Sequence, residues 1–177
     1  MSNKTLGRTL GASLVAVAAA ATLAPSAMAA TTTTISVSGK QLTVTAGNGG
    51  SHAIRVSDGD AFAPACPIVE ELNSEASLAT AGSGISLVIQ YGPKRWGICA
   101  SQGSITSLVA WGSSSADAIN TKLFTPRAAL LGAAGNDILI TQNGKSGDYI
   151  YGGTGTDSAT IDAGDYTDSY VESVSTN

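Results

Sequence analysis

A short repeat of glycine and aspartate in the last third of the chain constrains its fold most. Four segments open with glycine or other small or turn-forming residues, and each carries Asp at its sixth position and an apolar or aromatic residue at its eighth. The segments are 132–140, 143–151, 152–160 and 163–171, with Asp137, Asp148, Asp157 and Asp168 at the sixth positions. Glycine permits the backbone angles of tight turns. The repeat therefore predicts short strands joined by tight turns, stacked unit upon unit, with the eighth residue of each unit pointing into the core.

These segments resemble the haemolysin-type (RTX) calcium-binding nonapeptide, G-G-x-G-x-D-x-U-x. Segment 152–160 has all three glycines, including Gly153 and Gly155, and the Asp. The resemblance implies a short parallel β-roll in which stacked turns share calcium ions. It implies that Asp137 pairs with Asp157 on one edge and that Asp148 pairs with Asp168 on the other. Ca²⁺ takes six to eight oxygen ligands, typically carboxylates and backbone carbonyls.

A simpler interpretation of the same pattern stays open. Asp is also common in ordinary β-turns, where its side chain hydrogen-bonds the nearby backbone. Two fainter copies of the repeat occur at 112–120 and 47–55, and His52 stands at the Asp position of the second. We expect His52, the single histidine of the chain, to lie solvated in a turn.

The start of the chain has the pattern of a secretory signal peptide. Lys4 and Arg8 precede an apolar stretch at 9–24, and the small-x-small site Ala27-Met28-Ala29 follows. The apolar stretch is short for a membrane span, which needs about 20 residues. We therefore predict a signal peptide at 1–29 and a secreted, extracellular protein with no membrane anchor after cleavage.

The charge of the remaining chain is acidic and unevenly placed. Residues 30–131 hold six acidic and six basic residues, whereas 132–177 hold seven acidic residues and only Lys145. Nucleic acids and anionic membranes attract Lys and Arg, so this balance argues against both as partners. It is compatible with calcium ions as partners, or with solubility alone.

Residues 30–131 are predicted to be β-rich. Alternating apolar residues predict strands at 34–38, 42–44 and 53–56, and Gly39 is placed for either a hairpin turn or a solenoid corner. Cys66 and Cys99 are the two cysteines of an exported chain, which predicts a disulfide. We interpret 57–100 as an insertion stapled by that bridge, with a short helix at 68–78 that begins after Pro67.

The sequence shows no enzyme machinery. A single histidine excludes the usual zinc-protease motif, and no G-x-S-x-G is present. The neighbouring acids Glu70 and Glu71 fit the first turn of the predicted helix. We therefore expect an all-β, non-enzymatic, extracellular protein, built as a short parallel β-roll or irregular solenoid with a disulfide-stapled insertion. Structural calcium is expected in its Gly/Asp turns. The alternative is a calcium-independent surface or matrix protein whose strands serve adhesion or assembly.

Overall fold

The computed structural model describes residues 13–15, 32–73 and 75–176. In these ranges the chain is all-β, and no helix there is long and apolar enough to cross a membrane. Most of the predicted signal peptide lies outside the described residues. The strands are β1 (Ser13–Val15), β2 (Thr32–Ser38), β3 (Gln41–Thr45), β4 (Ala53–Ser57), β5 (Ile68–Glu71), β6 (Ser77–Thr80), β7 (Ile85–Gly92), β8 (Arg95–Ala100), β9 (Ser107–Trp111), β10 (Ala118–Leu123), β11 (Arg127–Ala134), β12 (Ile138–Ile140), β13 (Tyr149–Thr154), β14 (Asp157–Ile161), β15 (Tyr166–Thr167) and β16 (Val171–Thr176).

The strands form two mixed sheets. One sheet has nine strands in the order β1-β7-β8-β5-β4-β10-β12-β14-β16, and the other has seven in the order β15-β13-β11-β9-β3-β2-β6. From β9 onward the chain alternates between the sheets, and every pairing among β9–β16 is parallel. Antiparallel pairs are formed among β1, β4, β5, β7 and β8 in the nine-stranded sheet and between β2 and β3 in the other sheet.

In four of the parallel pairs, β9 with β11, β11 with β13, β10 with β12 and β12 with β14, partner residues are 20 apart in the chain. Ile119, Leu139 and Ala159 are successive partners in the nine-stranded sheet. These side chains are buried and belong to one hydrophobic core together with Ile150 of the other sheet. The eighth residues of the first three repeat segments therefore point into the core, as predicted, whereas the eighth residue of the fourth segment, Tyr170, is 60% exposed.

Extra residues between β4 and β9 widen this spacing on one side of the four pairs. Ile54 and Ile119 are partners although 65 residues separate them. The extra chain forms β5, β7 and β8 at one side of the nine-stranded sheet and β6 at the edge of the other. The disulfide between Cys66 and Cys99 closes this region, which confirms the predicted bridge.

The helix predicted at 68–78 is wrong, because this segment contains β5 and begins β6. Ile68 and Val69 are β-branched and buried, and β5 pairs antiparallel with both β4 and β8. The carbonyl of Pro67 accepts a 2.8 Å hydrogen bond from the Ile98 N–H. Burial between two strands outweighs the local helix-start signals of a proline and two acids.

A hairpin forms at Gly39, which settles the choice left open by the sequence. Ile35 pairs with Val44 and Val37 pairs with Leu42, so all four apolar side chains share the inner face. Gly39 has a φ of 61°, a backbone angle that the first central residue of such a two-residue turn requires and that glycine adopts without strain.

Candidate functional site

Three aspartates form a buried row across the nine-stranded sheet, at the end where its parallel strands begin. Asp117, Asp137 and Asp157 lie at the starts of β10, β12 and β14, and each is at most 3% exposed. The N–H of Asp117 donates to Asp137 Oδ1 at 2.7 Å, and the N–H of Asp137 donates to Asp157 Oδ1 at 2.8 Å. We call these three residues the carboxylate row. One oxygen of each side chain accepts a hydrogen bond from the backbone of the preceding unit.

Other polar residues continue the carboxylate row at both ends. The N–H of His52 donates to Asp117 Oδ1 at 2.6 Å. At the far end, the N–H of Asp157 donates to Glu172 Oε2 at 2.7 Å. The resulting line of backbone-to-carboxylate bonds runs from β4 to β16 and crosses every parallel strand of this sheet.

The second oxygens of the row differ from one another. Oδ2 of Asp117 accepts the N–H of Ser113. Oδ2 of Asp137 and Oδ2 of Asp157 are buried and have no hydrogen-bond partner. A buried carboxylate oxygen without a donor is costly, because water no longer solvates its charge. A cation beside these two oxygens would offset that cost.

A glycine lies five residues before each Asp of the row, and its missing side chain leaves room for Oδ2. A Cβ at Gly132 would lie 2.4 Å from Asp137 Oδ2 and 2.4 Å from the Gly152 carbonyl oxygen. A Cβ at Gly152 would lie 2.6 Å from Asp157 Oδ2 and 2.5 Å from the Tyr170 carbonyl oxygen. Each unpartnered carboxylate oxygen therefore shares the open face of a glycine with a carbonyl oxygen of the following unit.

Burial weakens the acidity of Asp137. Burial, together with the neighbouring charges of Asp117 and Asp157, raises the pKa of this carboxyl to about 6, against the lowering effect of the hydrogen bond from the Asp117 N–H. Asp137 therefore binds a proton more readily than a solvated carboxylate does. Perturbed acids of this kind are concentrated at functional sites, and structural networks also produce them.

Asp148 lies just before β13 of the seven-stranded sheet and has a different environment. Its Oδ1 accepts the Ala128 N–H at 2.8 Å, and its Oδ2 accepts the Asn143 side-chain amide at 3.0 Å. Burial raises the pKa of Asp148 to about 6, and the charges of Asp165 and Asp162 contribute in the same direction. Both oxygens of Asp148 have donors, so neither is left unpartnered as Oδ2 of Asp137 and Oδ2 of Asp157 are.

The pairing of Asp148 with Asp168 is wrong, whereas Asp137 and Asp157 are neighbours as predicted. The N–H of Asp148 donates to Asp165 Oδ1 at 3.0 Å. Asp168 instead accepts the N–H groups of Gly152 and Tyr170, both at 3.2 Å. The last unit is shorter than the others, since Tyr149 pairs with Tyr166 only 17 residues later, and this shift brings Asp165 into the expected position.

Gly153 and Gly155 pack against the backbone of the preceding unit. Their φ angles are +100° and +141°, and a Cβ would lie 2.2 Å from the Ala133 carbonyl oxygen at Gly153 and 1.7 Å from the Gly135 carbonyl oxygen at Gly155. Close approach of two turns therefore requires glycine at both positions. Ala133, the partner of Gly153, adopts a φ of 77°.

His52 is 2% exposed and is not a solvated turn residue. Its Nδ1 lies 3.0 Å from Glu71 Oε2 and 2.9 Å from Thr33 Oγ1, and its Nε2 lies 2.9 Å from the Gly47 carbonyl oxygen. Sequence reasoning missed this cluster and the roles of Asp165 and Glu172. The signal for His52 was the five-residue spacing from Gly47, which repeats the spacing from Gly112 to Asp117.

The described residues hold no group of three or more His, Cys, Asp or Glu side chains close enough to bind a metal ion together. An ion at the carboxylate row would therefore rely on backbone carbonyls for most of its ligands. Comparison with protein-family models, curated proteins and solved structures finds no match. The geometry defines an all-β protein of two mixed sheets, with a buried row of carboxylates where the parallel strands of the nine-stranded sheet begin.

Proposed function

We propose that this chain is a secreted calcium-binding protein in which β3, β4 and β9–β16 form a short parallel β-roll. One observation carries the proposal: Oδ2 of Asp137 and Oδ2 of Asp157 are buried oxygens with no hydrogen-bond donor. A bound cation would compensate both charges. The 20-residue register of the parallel strands supports the β-roll, because it makes each pair of strands one equivalent unit.

The atoms beside the two unpartnered oxygens are of the type that calcium prefers. Asp137 Oδ2 lies beside Gly132 together with the carbonyl oxygen of Gly152. Asp157 Oδ2 lies beside Gly152 together with the carbonyl oxygen of Tyr170. Ca²⁺ binds carboxylate and carbonyl oxygens and tolerates irregular coordination. Bound calcium would supply positive charge between the units, so its proposed role is structural and involves no catalytic reaction.

The proposal gives Asp137 and Asp157 the leading role among the predicted ligands. Both oxygens of Asp148 already have donors, and Asp168 is only half-buried, so that water can solvate its charge; both are therefore weaker candidates for direct ligation. Gly153 and Gly155 contribute by letting adjacent turns approach closely. Secretion accords with the disulfide, which persists in oxidising compartments.

Calcium titration of the EDTA-treated exported protein tests this function. We expect Ca²⁺ to increase the β signal in far-ultraviolet circular dichroism or to raise the thermal midpoint, because it binds the folded state alone. Asp157→Asn keeps the oxygen that accepts the Asp137 N–H and removes the charge. This variant should fold and lose most of the calcium response.

Asp117→Asn is the control for loss of a charge in the same row: it gives up one of the two backbone hydrogen bonds that Asp117 accepts, and it leaves the unpartnered oxygens of Asp137 and Asp157 in place. Its calcium midpoint should stay within about threefold of the unsubstituted protein. Equal calcium responses in Asp157→Asn and the unsubstituted protein, or no response in either, would overturn the proposal.

A second candidate function is calcium-independent adhesion or assembly, and an exposed aromatic surface favours it. Trp111, Tyr149, Tyr151 and Tyr166 are each between 38% and 53% exposed on strands of the seven-stranded sheet. The ring centroid of Tyr166 lies 5.9 Å from that of Tyr149 and 6.3 Å from that of Tyr151. Grouped aromatic rings with polar tips are typical of interaction surfaces.

Sedimentation of the protein in EDTA tests the second candidate. Assembly through this surface predicts concentration-dependent association that Tyr149→Ser and Tyr166→Ser together abolish. Tyr170→Ser is the control, because Tyr170 is 60% exposed and lies outside the sheets. A monomer at all concentrations would reject assembly through the aromatic surface and leave calcium binding as the single proposal.

A further inference from the structure

The buried His52 cluster lies where three parts of the fold meet. Thr33 belongs to β2 of the seven-stranded sheet, Glu71 ends β5 of the extra region, and Asp117 begins the carboxylate row. His52 contacts all three. The side chains of His52 and Glu71 are completely buried. The proposed calcium function makes no use of this pair.

Glu71 is surrounded by donors. Its Oε2 accepts the Thr33 hydroxyl at 2.7 Å and faces His52 Nδ1 at 3.0 Å. Its Oε1 accepts the N–H of Ala53 at 2.9 Å and that of Asn73 at 3.1 Å. An ionised carboxylate has about four acceptor sites, and all four are used here. The structure therefore stabilises Glu71 as an anion.

Both ring nitrogens of His52 face acceptors. The Gly47 carbonyl beside Nε2 has no proton to donate. Beside Nδ1, the carboxylate of Glu71 can only accept, and the Thr33 hydroxyl has already given its proton to Glu71. Two hydrogen bonds from one imidazole ring require a proton on each nitrogen. A neutral ring would leave one nitrogen lone pair directed at an oxygen lone pair.

We propose that His52 is held as an imidazolium and that its proton makes the attachment of β5 to β2 and β4 dependent on pH. The charges that face His52 are Glu71 from β5 and Asp117 from the start of β10, and both favour the proton. Lys94 is a nearby basic residue, and its Nζ donates to the Asn73 carbonyl at 2.6 Å. Loss of the proton leaves Glu71 buried with one donor fewer.

The direction of the effect follows from the two states of the histidine. The hydrogen bond to Glu71 raises the pKa of His52 above its ordinary 6.5, against the lowering effect of burial. The stabilisation is therefore complete below pH 6.5 and is lost as the pH rises through the folded-state pKa. Within that window the constant for local opening should rise by up to about tenfold per pH unit.

Nitrogen-15 NMR of the exported protein in EDTA tests the proposal, because the chain has one histidine and its signals are unambiguous. We expect both ring nitrogens to be protonated at pH 6.5 and to titrate above it. Hydrogen exchange at β5, corrected for its intrinsic pH dependence, should accelerate over the same range. Calcium is absent from this experiment, so its outcome is independent of the calcium proposal.

Glu71→Gln and Glu70→Gln form a matched pair, since each removes one charge from β5. Glu70 makes a partly exposed ion pair with Arg55 at 3.2 Å and lies outside the cluster. Glu71→Gln should lower the His52 pKa below 6.5, and Glu70→Gln should leave it nearly unchanged. Should Glu71→Gln fail to fold, the titration of the unsubstituted protein decides alone: a His52 pKa at or below 6.5, or a single protonated nitrogen at pH 6.5, overturns the proposal.

Discussion

The backbone N–H of Asp137 donates a 2.8 Å hydrogen bond to Oδ1 of Asp157, which lies 20 residues later in the chain. The same relationship links Asp117 to Asp137. Each of these carboxylates therefore joins two adjacent units through one oxygen. Asp137 and Asp157 keep a second oxygen that no protein donor reaches. A structural role and a ligand-binding role are thus compatible in one side chain, because they use different atoms.

Substitution of Asp137 should separate these two roles. In EDTA at pH 7.5, Asp137→Asn keeps the acceptor for the Asp117 N–H and removes a buried charge, so we expect the free energy of unfolding to rise by about 1 kcal/mol. Asp137→Ala leaves that N–H without an acceptor and should lower it by roughly 1–3 kcal/mol. Urea unfolding of both variants measures the difference. An Asn variant less stable than the unsubstituted protein would contradict the account of the unpartnered oxygen.

The stability of the calcium-free protein should fall as the pH rises from about 4 to about 6. Burial raises the pKa values of Asp137 and Asp148 from 3.8 to about 6 in the folded state, so the folded state holds these protons more tightly than the unfolded state. Their stabilising effect is complete below the unfolded value and is lost as the pH passes the folded one. Thermal midpoints measured from pH 4 to 7 in EDTA test this trend, which Asp137→Asn should reduce. Stability that rises steadily across this interval in both proteins would contradict the raised pKa values.

Ala133 and Gly153 occupy equivalent positions in adjacent strands but should respond oppositely to substitution. Gly153→Ala would place a Cβ 2.2 Å from the Ala133 carbonyl oxygen, so we expect a loss of about 2 kcal/mol or more. Ala133→Gly relieves a left-handed φ of 77° and should be neutral or stabilising by up to about 1 kcal/mol. Chemical denaturation of the two single variants gives both values. A clear loss of stability in Ala133→Gly would show that its methyl group packs favourably.

Removal of the disulfide should destabilise the fold substantially. Cys66 and Cys99 are 33 residues apart, and closing a loop of that length contributes roughly 3–4 kcal/mol in the chain-entropy model. The double variant Cys66→Ser with Cys99→Ser should therefore unfold at lower urea concentration than the oxidised protein. Reductant should shift the unsubstituted protein toward the double variant and leave the double variant unchanged. A shift below about 1 kcal/mol would mean that the extra region is held mainly by its strand pairing.

Local patterns in the sequence predicted the features that depend on near neighbours. Alternation of apolar residues placed the strands around Ile35 and Val44, and the fixed position after each Asp placed Leu139 and Ile150 in the core. The two cysteines predicted their own bridge. In each case the signal lies within a few residues, or the residue type leaves only one partner.

Predictions failed where distant residues decide the outcome. The proline and acids at 67–71 are helix-start signals, but burial of β5 between β4 and β8 overrides them. His52 is buried because Glu71 and Asp117 surround it, and these residues lie 19 and 65 positions away. Asp165 replaces Asp168 beside Asp148 because the last unit is shorter, which no single segment of sequence reveals.

The 20-residue register also means that this architecture can gain or lose whole units of 20 residues more easily than single residues. The carboxylate of each Asp in the row accepts a hydrogen bond from the unit before it, and the backbone N–H of the same Asp donates to the unit after it. The bonding therefore has a direction, and each interior unit presents the same two faces. A tandem copy of residues 132–151 would meet matching faces on both sides. A duplication of that size could lengthen the protein, because the copy would reproduce the strand pairs that it separates, whereas a gain or loss of one residue within a strand would turn its core side chains outward.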